Sequence, residues 1–81
     1  MNVIISNFEE TENYKSYEAI CGKKEAHIYI SKTNKTINVT CKNAAHKVWR
    51  GLGNSFETLQ DALSHYKTSE MKSIIQYIEA I

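Results

Sequence analysis

The residues with the most recognition chemistry stand close together: His46, Lys47, Trp49 and Arg50, followed by Gly51, Leu52 and Gly53. Arginine offers a planar fork that matches phosphate or carboxylate in two hydrogen bonds, and tryptophan offers a stacking or anchoring surface. In a helix, His46 and Arg50 would share a face at i and i+4, with Lys47 beside them. Gly51 and Gly53 permit close backbone approach or a positive φ. The chemistry these residues support is recognition of an anion or of an acidic partner. A structural reading of the same residues stands beside it: Trp49 and Val48 packed in the core, the charges solvated, and the glycines separating two elements.

Charge patterning extends the candidate surface. From Ala26 to Phe56 there is no Asp or Glu, while Lys32, Lys35, Lys42, Lys47 and Arg50 are all present. The formal net charge of +1 therefore divides into −2 before this span, +5 within it and −2 after it. Such asymmetry marks a region that meets an anion or an acidic partner. The expected partner-binding residues are His46, Lys47, Trp49 and Arg50, with Lys42, Lys32 and Lys35 secondary.

Other chemistry has less to work with. His27, Tyr29, Asn38 and Thr40 form a polar patch if the strands described below pair as expected, either a binding platform or a solvated sheet face. Cys41 and His46 form a Cys-x4-His pair, yet no Cys-x2-Cys or His-x3-His accompanies it, so no metal is expected. A Cys21–Cys41 disulfide is disfavoured because an intervening strand would hold the two about 9.5 Å apart. No hydrolase elbow, phosphate-binding loop or structured carboxylate pair occurs. The expectation is therefore no enzyme and no cofactor.

These side chains must be positioned by elements whose periods are visible in the sequence. Ile28 and Ile30 alternate with His27, Tyr29 and Ser31; Ile37, Val39 and Cys41 alternate with Thr36, Asn38 and Thr40. Alternation with period two is the signature of half-buried strands. A turn at Lys32–Lys35 pairs Ile30 with Ile37 and Ile28 with Val39 on one face, and Tyr29 with Asn38 and His27 with Thr40 on the other. A slip by one residue would set isoleucines opposite polar groups. Strands are expected over about 2–6, 14–21, 25–32 and 36–42, with a loop through the acidic residues 9–13. After Gly53 the period becomes 3.6. Asn54 with Glu57 reads as a capping box, and Phe56, Leu59, Leu63 and Tyr66 share a helical face. Ser69 is a second cap, before the stripe Met71, Ile74, Ile75, Ile78 and Ile81. Helices are expected over about 44–50, 55–66 and 69–80. The predicted fold is α+β, in one domain spanning 1–81: an antiparallel sheet of three to four strands, with two or three short helices packed on one face.

An 81-residue chain with 42% hydrophobic and 23% charged residues belongs to the class of small globular domains. No apolar stretch reaches the roughly 20 residues of a membrane span. The first residues lack the basic and apolar regions of a signal peptide. A cytoplasmic protein is expected, monomeric or homodimeric; the second of these would use surplus apolar area around Tyr77 and the last helix.

The stretch Asn43-Ala44-Ala45-His46-Lys47-Val48-Trp49-Arg50-Gly51-Leu52-Gly53, with Ala62-Leu63-Ser64-His65-Tyr66-Lys67, resembles small single-domain proteins encoded by phages and other mobile elements. Many of these are anti-defence factors, among them anti-CRISPR proteins that block a nuclease complex by binding it. The resemblance covers the C-terminal half and lies in overall character, so it carries no residue roles. It implies a non-catalytic inhibitor of a defence complex in a bacterial host. The net positive charge sets the chain apart from inhibitors that imitate DNA with an acidic surface. The alternative function is a small nucleic-acid-binding module using the basic Trp/Arg patch.

Overall fold

The computed structural model describes residues 2–49, 51 and 53–81. The chain runs as β1 (Ile4–Glu10), β2 (Tyr14–Cys21), β3 (Lys24–Ser31), β4 (Ile37–Asn43), β5 (Asn54–Phe56), α1 (Leu59–His65) and α2 (Ser69–Ala80). All five strands form one antiparallel sheet in sequential order, β1-β2-β3-β4-β5. The expected α+β class holds; the strand count is five rather than three to four. No helix among the described residues is long and apolar enough to cross a membrane.

The central hairpin has the register that the alternation dictates. Ile30 faces Ile37, Ile28 faces Val39, Tyr29 faces Asn38 and His27 faces Thr40. Its turn is built by side chains: Ser31 Oγ accepts from the amides of Thr33 and Asn34, both at 3.3 Å, and Asn34 Oδ1 accepts from the amide of Thr36 at 3.1 Å. Lys35 takes a φ of +59° there.

One face of the sheet is sealed. Tyr17, Ala19 and Cys21 from β2, Ala26 and Ile28 from β3, and Ile37 and Val39 from β4 meet Ala62 of α1 and Met71, Ile74, Ile75 and Ile78 of α2. Ala19 lies opposite Ala26, and α2 packs on the two strands that carry them. Small side chains at this crossing let the helix sit close to the sheet, which keeps the packing dense. Burying a side chain such as Ile28 contributes about 1.5–3 kcal/mol. Cys41 faces Ala26 at the margin of this core, half-buried, and β3 lies between its strand and that of Cys21.

Four expectations about element boundaries give way. Asn54 starts no helix; it lies opposite Val39, with Ser55 opposite Asn38 and Phe56 opposite Ile37. The cause is Gly53, whose φ is +76° and whose added Cβ would fall 2.5 Å from both Val39 O and Thr40 Oγ1. Only a residue without a side chain brings the chain that near β4, and the approach creates β5. The helix then begins at Leu59, capped by Thr58 Oγ1 accepting from the Asp61 amide at 3.0 Å.

The expected helix over 44–50 is absent among the described residues of that span, which are turn and irregular chain. The Ala44 amide donates to Lys23 O at 2.8 Å and the His46 amide to Asn43 O at 3.0 Å. The second is a single tight turn, and Asn43 itself still belongs to β4, paired with Lys24. At the other end of the chain, the first strand reaches Glu10, so Glu9 and Glu10 belong to β1 and not to a loop. A register shift between Ile5 and Asn7 accommodates Ser6. Finally, Thr68 and not Ser69 caps α2, accepting from the Met71 amide at 3.4 Å, and Ile81 stays 67% exposed outside the core.

Candidate functional site

The face of the sheet opposite the helices bears Tyr14, Ser16, Glu18 and Ile20 from β2, alternating with the core residues of that strand. From β3 it bears Glu25, His27 and Tyr29, and from β4 Asn38, Thr40 and Lys42. The register puts these in contact across the strands. Ser16 Oγ lies 2.8 Å from His27 Nε2. The Tyr14 and Tyr29 rings stack with centroids 4.8 Å apart. Tyr14 Oη donates to the Glu9 carboxylate, and that bond, followed by burial and the negative charge of Glu9, pushes its phenol above the usual pKa. Asn38 Nδ2 reaches Ser55 Oγ at 3.4 Å, and Thr40 Oγ1 reaches Asn38 Oδ1 at 3.5 Å.

One end of this open face is capped by the segment that follows β4. Lys42 is the pivot. Its ammonium lies 2.7 Å from a Glu25 carboxylate oxygen, with only 9% of the Lys42 side chain exposed. The same ammonium donates to the carbonyl of His46 and stands 4.9 Å from the Trp49 ring centroid. The Trp49 ring is 6.2 Å from that of His27. Cross-strand pairing of Glu25 with Lys42 therefore anchors the 44–49 segment, and the segment lays Trp49 over the open face. Trp49 does not belong to the core, and Val48 is 67% exposed. A depression of about 450 Å³, lined by Gly22, Lys23, Asn43, Ala44 and Ala45, opens beside the segment.

The expected contact residues do not form one patch. Lys42, His46, Lys47 and Trp49 gather at one end of the sheet, where Lys47 and the His46 side chain are exposed. Lys32 and Lys35 lie at the β3–β4 turn, at the far end of the seven-residue β4, about 20 Å away at the usual rise per residue. Lys32 is held by Glu10 at 2.8 Å and by the Thr11 carbonyl at 2.9 Å. Arg50 lies outside the described residues. The acid-free span of sequence is thus not an acid-free surface: Glu10 and Glu25, both from before the span, return to neutralise Lys32 and Lys42.

Sequence reasoning missed Tyr14, Ser16 and Glu25. Glu25 is the residue opposite Lys42 within the hairpin itself, and Tyr14 and Ser16 follow from carrying its alternation one strand further, where Ser16 falls opposite Tyr29. On the covered side, Cys41 and Tyr66 flank the short β5. Burial pushes the Cys41 thiol up, which disfavours the reactive thiolate, and burial likewise raises the Tyr66 phenol. Among the described residues, no group of three or more His, Cys, Asp or Glu side chains is arranged to hold a metal ion. What the open face offers is aromatic surface, hydrogen-bonding side chains and local charge of both signs.

Comparison with known proteins returns no match to any family model, curated protein or solved structure.

Proposed function

We propose that this chain is a non-catalytic binding protein that presents the open face of its sheet, with Trp49 at one end, to a protein partner. The observation that carries this reading is the placement of its one tryptophan. Trp49 is held outside the core by a lysine that is itself ion-paired. Tryptophan and tyrosine anchors supply large, rigid contact area and dominate protein interfaces, and Tyr14 and Tyr29 lie on the same face. The resemblance to phage-encoded anti-defence proteins supplies the partner class: a nucleic-acid-handling complex of a bacterial defence system, which the contact blocks by occlusion.

The alternative, a nucleic-acid-binding module, draws on phosphate contacts. Its support is thinner, because Lys32 and Lys42 already serve Glu10 and Glu25. The stacked Tyr14–Tyr29 pair is the feature that would serve it, as a platform for unpaired bases.

Expression in a bacterium with active CRISPR-type interference tests the proposal. Transformation by a targeted plasmid should rise with the wild-type chain and fall back with Trp49→Ala, in a variant whose circular dichroism is unchanged. Loss of an anchor worth ~2 kcal/mol weakens a contact by about 30-fold. No rise against any of the interference types assayed would sink the defence reading. Binding of single-stranded DNA or RNA at low salt, weakening steeply as salt is added, would replace it with the alternative.

A further inference from the structure

Where it lies over the open face, Trp49 meets a histidine. The two ring centroids are 6.2 Å apart and the planes are tilted by 51°. His27 is half-buried and is also held from β2, where Ser16 Oγ stands 2.8 Å from its Nε2. A hydroxyl donates to a neutral imidazole nitrogen and accepts from a protonated one, so this bond survives a change of charge on the ring. Histidine changes charge between about pH 5 and pH 8. His27 can therefore become a cation without leaving its place beside Trp49.

The surroundings decide what that charge does. From β2, Glu18 lies directly opposite His27, and its carboxylate forms no ion pair among the described residues. Side chains so opposed have Cβ atoms about 5 Å apart, near enough for the carboxylate to balance an imidazolium. On β3 itself, Glu25 is two positions along on the same face and is already neutralised by Lys42 of β4 at 2.7 Å. β4 sets the uncharged Thr40 opposite His27. In the 44–49 segment, His46 and Lys47 are exposed, so water and salt screen them. The π face of an indole attracts a cation within about 6 Å of its centroid, as Lys42 at 4.9 Å already shows for this ring. We propose that His27 is a proton-operated latch for Trp49. When charged, the imidazolium is balanced by Glu18 and draws the indole onto the open face; when neutral, it lets the indole lift more readily. The latch belongs to the chain alone and needs no partner, so it stands or falls independently of the reading above. Where Trp49 does anchor a partner, mild acid preorganises the anchor.

The chain has one tryptophan, so its fluorescence reports this contact alone. Collisional quenching by acrylamide, corrected for lifetime, measures how often the indole is exposed. From about pH 8 to about pH 5 the quenching constant should fall about twofold, the effect of an exposed cation–π contact. His27→Gln should abolish the fall and His46→Gln should leave it, with circular dichroism unchanged in both. In the unaltered chain, the Trp49 indole N–H resonance should titrate with the same midpoint as the His27 ring protons, which tests the coupling without a variant. Quenching that ignores pH, or that rises in acid, overturns the latch. So does a fall that survives His27→Gln, one that disappears in His46→Gln, or an indole midpoint that differs from that of His27.

Discussion

The two faces of strands β2, β3 and β4 come from one alternating sequence but are held by different forces. On the helix side, Ala19, Ala26, Ile28 and Val39 have no exposed surface, and their contribution is apolar burial, which is large and non-directional. On the open side, the Tyr14–Tyr29 stack, the Ser16–His27 hydrogen bond and the Glu25–Lys42 ion pair tie neighbours together across strands. Each such pair contributes only about 0.2–1 kcal/mol. The contrast explains how so small a domain can present recognition chemistry: residues on the open face can be chosen for a partner because the fold depends on them little.

Breaking this comparison should be easiest at adjacent positions of β3. Ile28→Ala is expected to lower unfolding stability by ~3 kcal/mol, as a buried large-to-small change does. Tyr29→Ala, one residue along and facing the other way, is expected to lower it by about 1 kcal/mol. Urea titration of both variants measures the difference, and equal losses would mean that the open face is as structural as the covered one.

A matched pair of glycines gives the next largest effect. Gly51 and Gly53 share a φ of +76°, but an added Cβ at Gly51 meets nothing within 4 Å while one at Gly53 meets β4 at 2.5 Å. Gly51→Ala should therefore cost about 1 kcal/mol, from backbone strain alone. Gly53→Ala should cost ~2–3 kcal/mol, because β5 must also retreat from β4. Faster amide exchange over Asn54–Phe56 in the second variant only would locate the damage. Similar losses in the two variants would deny Gly53 its role in forming that edge.

The smallest effect concerns the ion pair that ties the end of β1 to the β3–β4 turn. The hydrogen bond from Lys32, with the lysine's charge, holds the Glu10 carboxyl below the usual carboxylate range. Its folded pKa lies below its unfolded one, so the stabilisation is complete above the unfolded value and is lost as pH falls through the folded one. Between about pH 6 and pH 3, the urea midpoint of the wild-type chain should fall slightly more than that of Lys32→Met. Parallel profiles would show the pair to be energetically silent.

The parts of the fold legible in sequence are those where a period runs long enough to be tested against another. The hairpin register was readable because Ile28, Ile30, Ile37 and Val39 leave one alignment without apolar residues facing polar ones. The α2 stripe was readable over three turns. β5 was not: three residues carry no period, and Asn54 with Glu57 imitated a capping box. For the site, the segment from Lys42 to Trp49 was identified by its residue types, whereas its basic character was overstated. Charge counted along a chain ignores partners that return from elsewhere, and Glu10 and Glu25 are such partners.

The sequence by itself determined which side chains of β2–β4 face the core, since alternation assigns every residue to one face once a single apolar position is buried. It also determined that strands precede helices and that α2 covers the sheet. Only the tertiary structure decided where Trp49 goes. The 44–49 segment has no period strong enough to impose a helix, so its path depends on the Lys42 ammonium, placed by its pairing with Glu25 and bonded to the His46 carbonyl. That arrangement exists only after β3 and β4 have come into register, and contacts between residues distant in sequence cannot be read from local pattern.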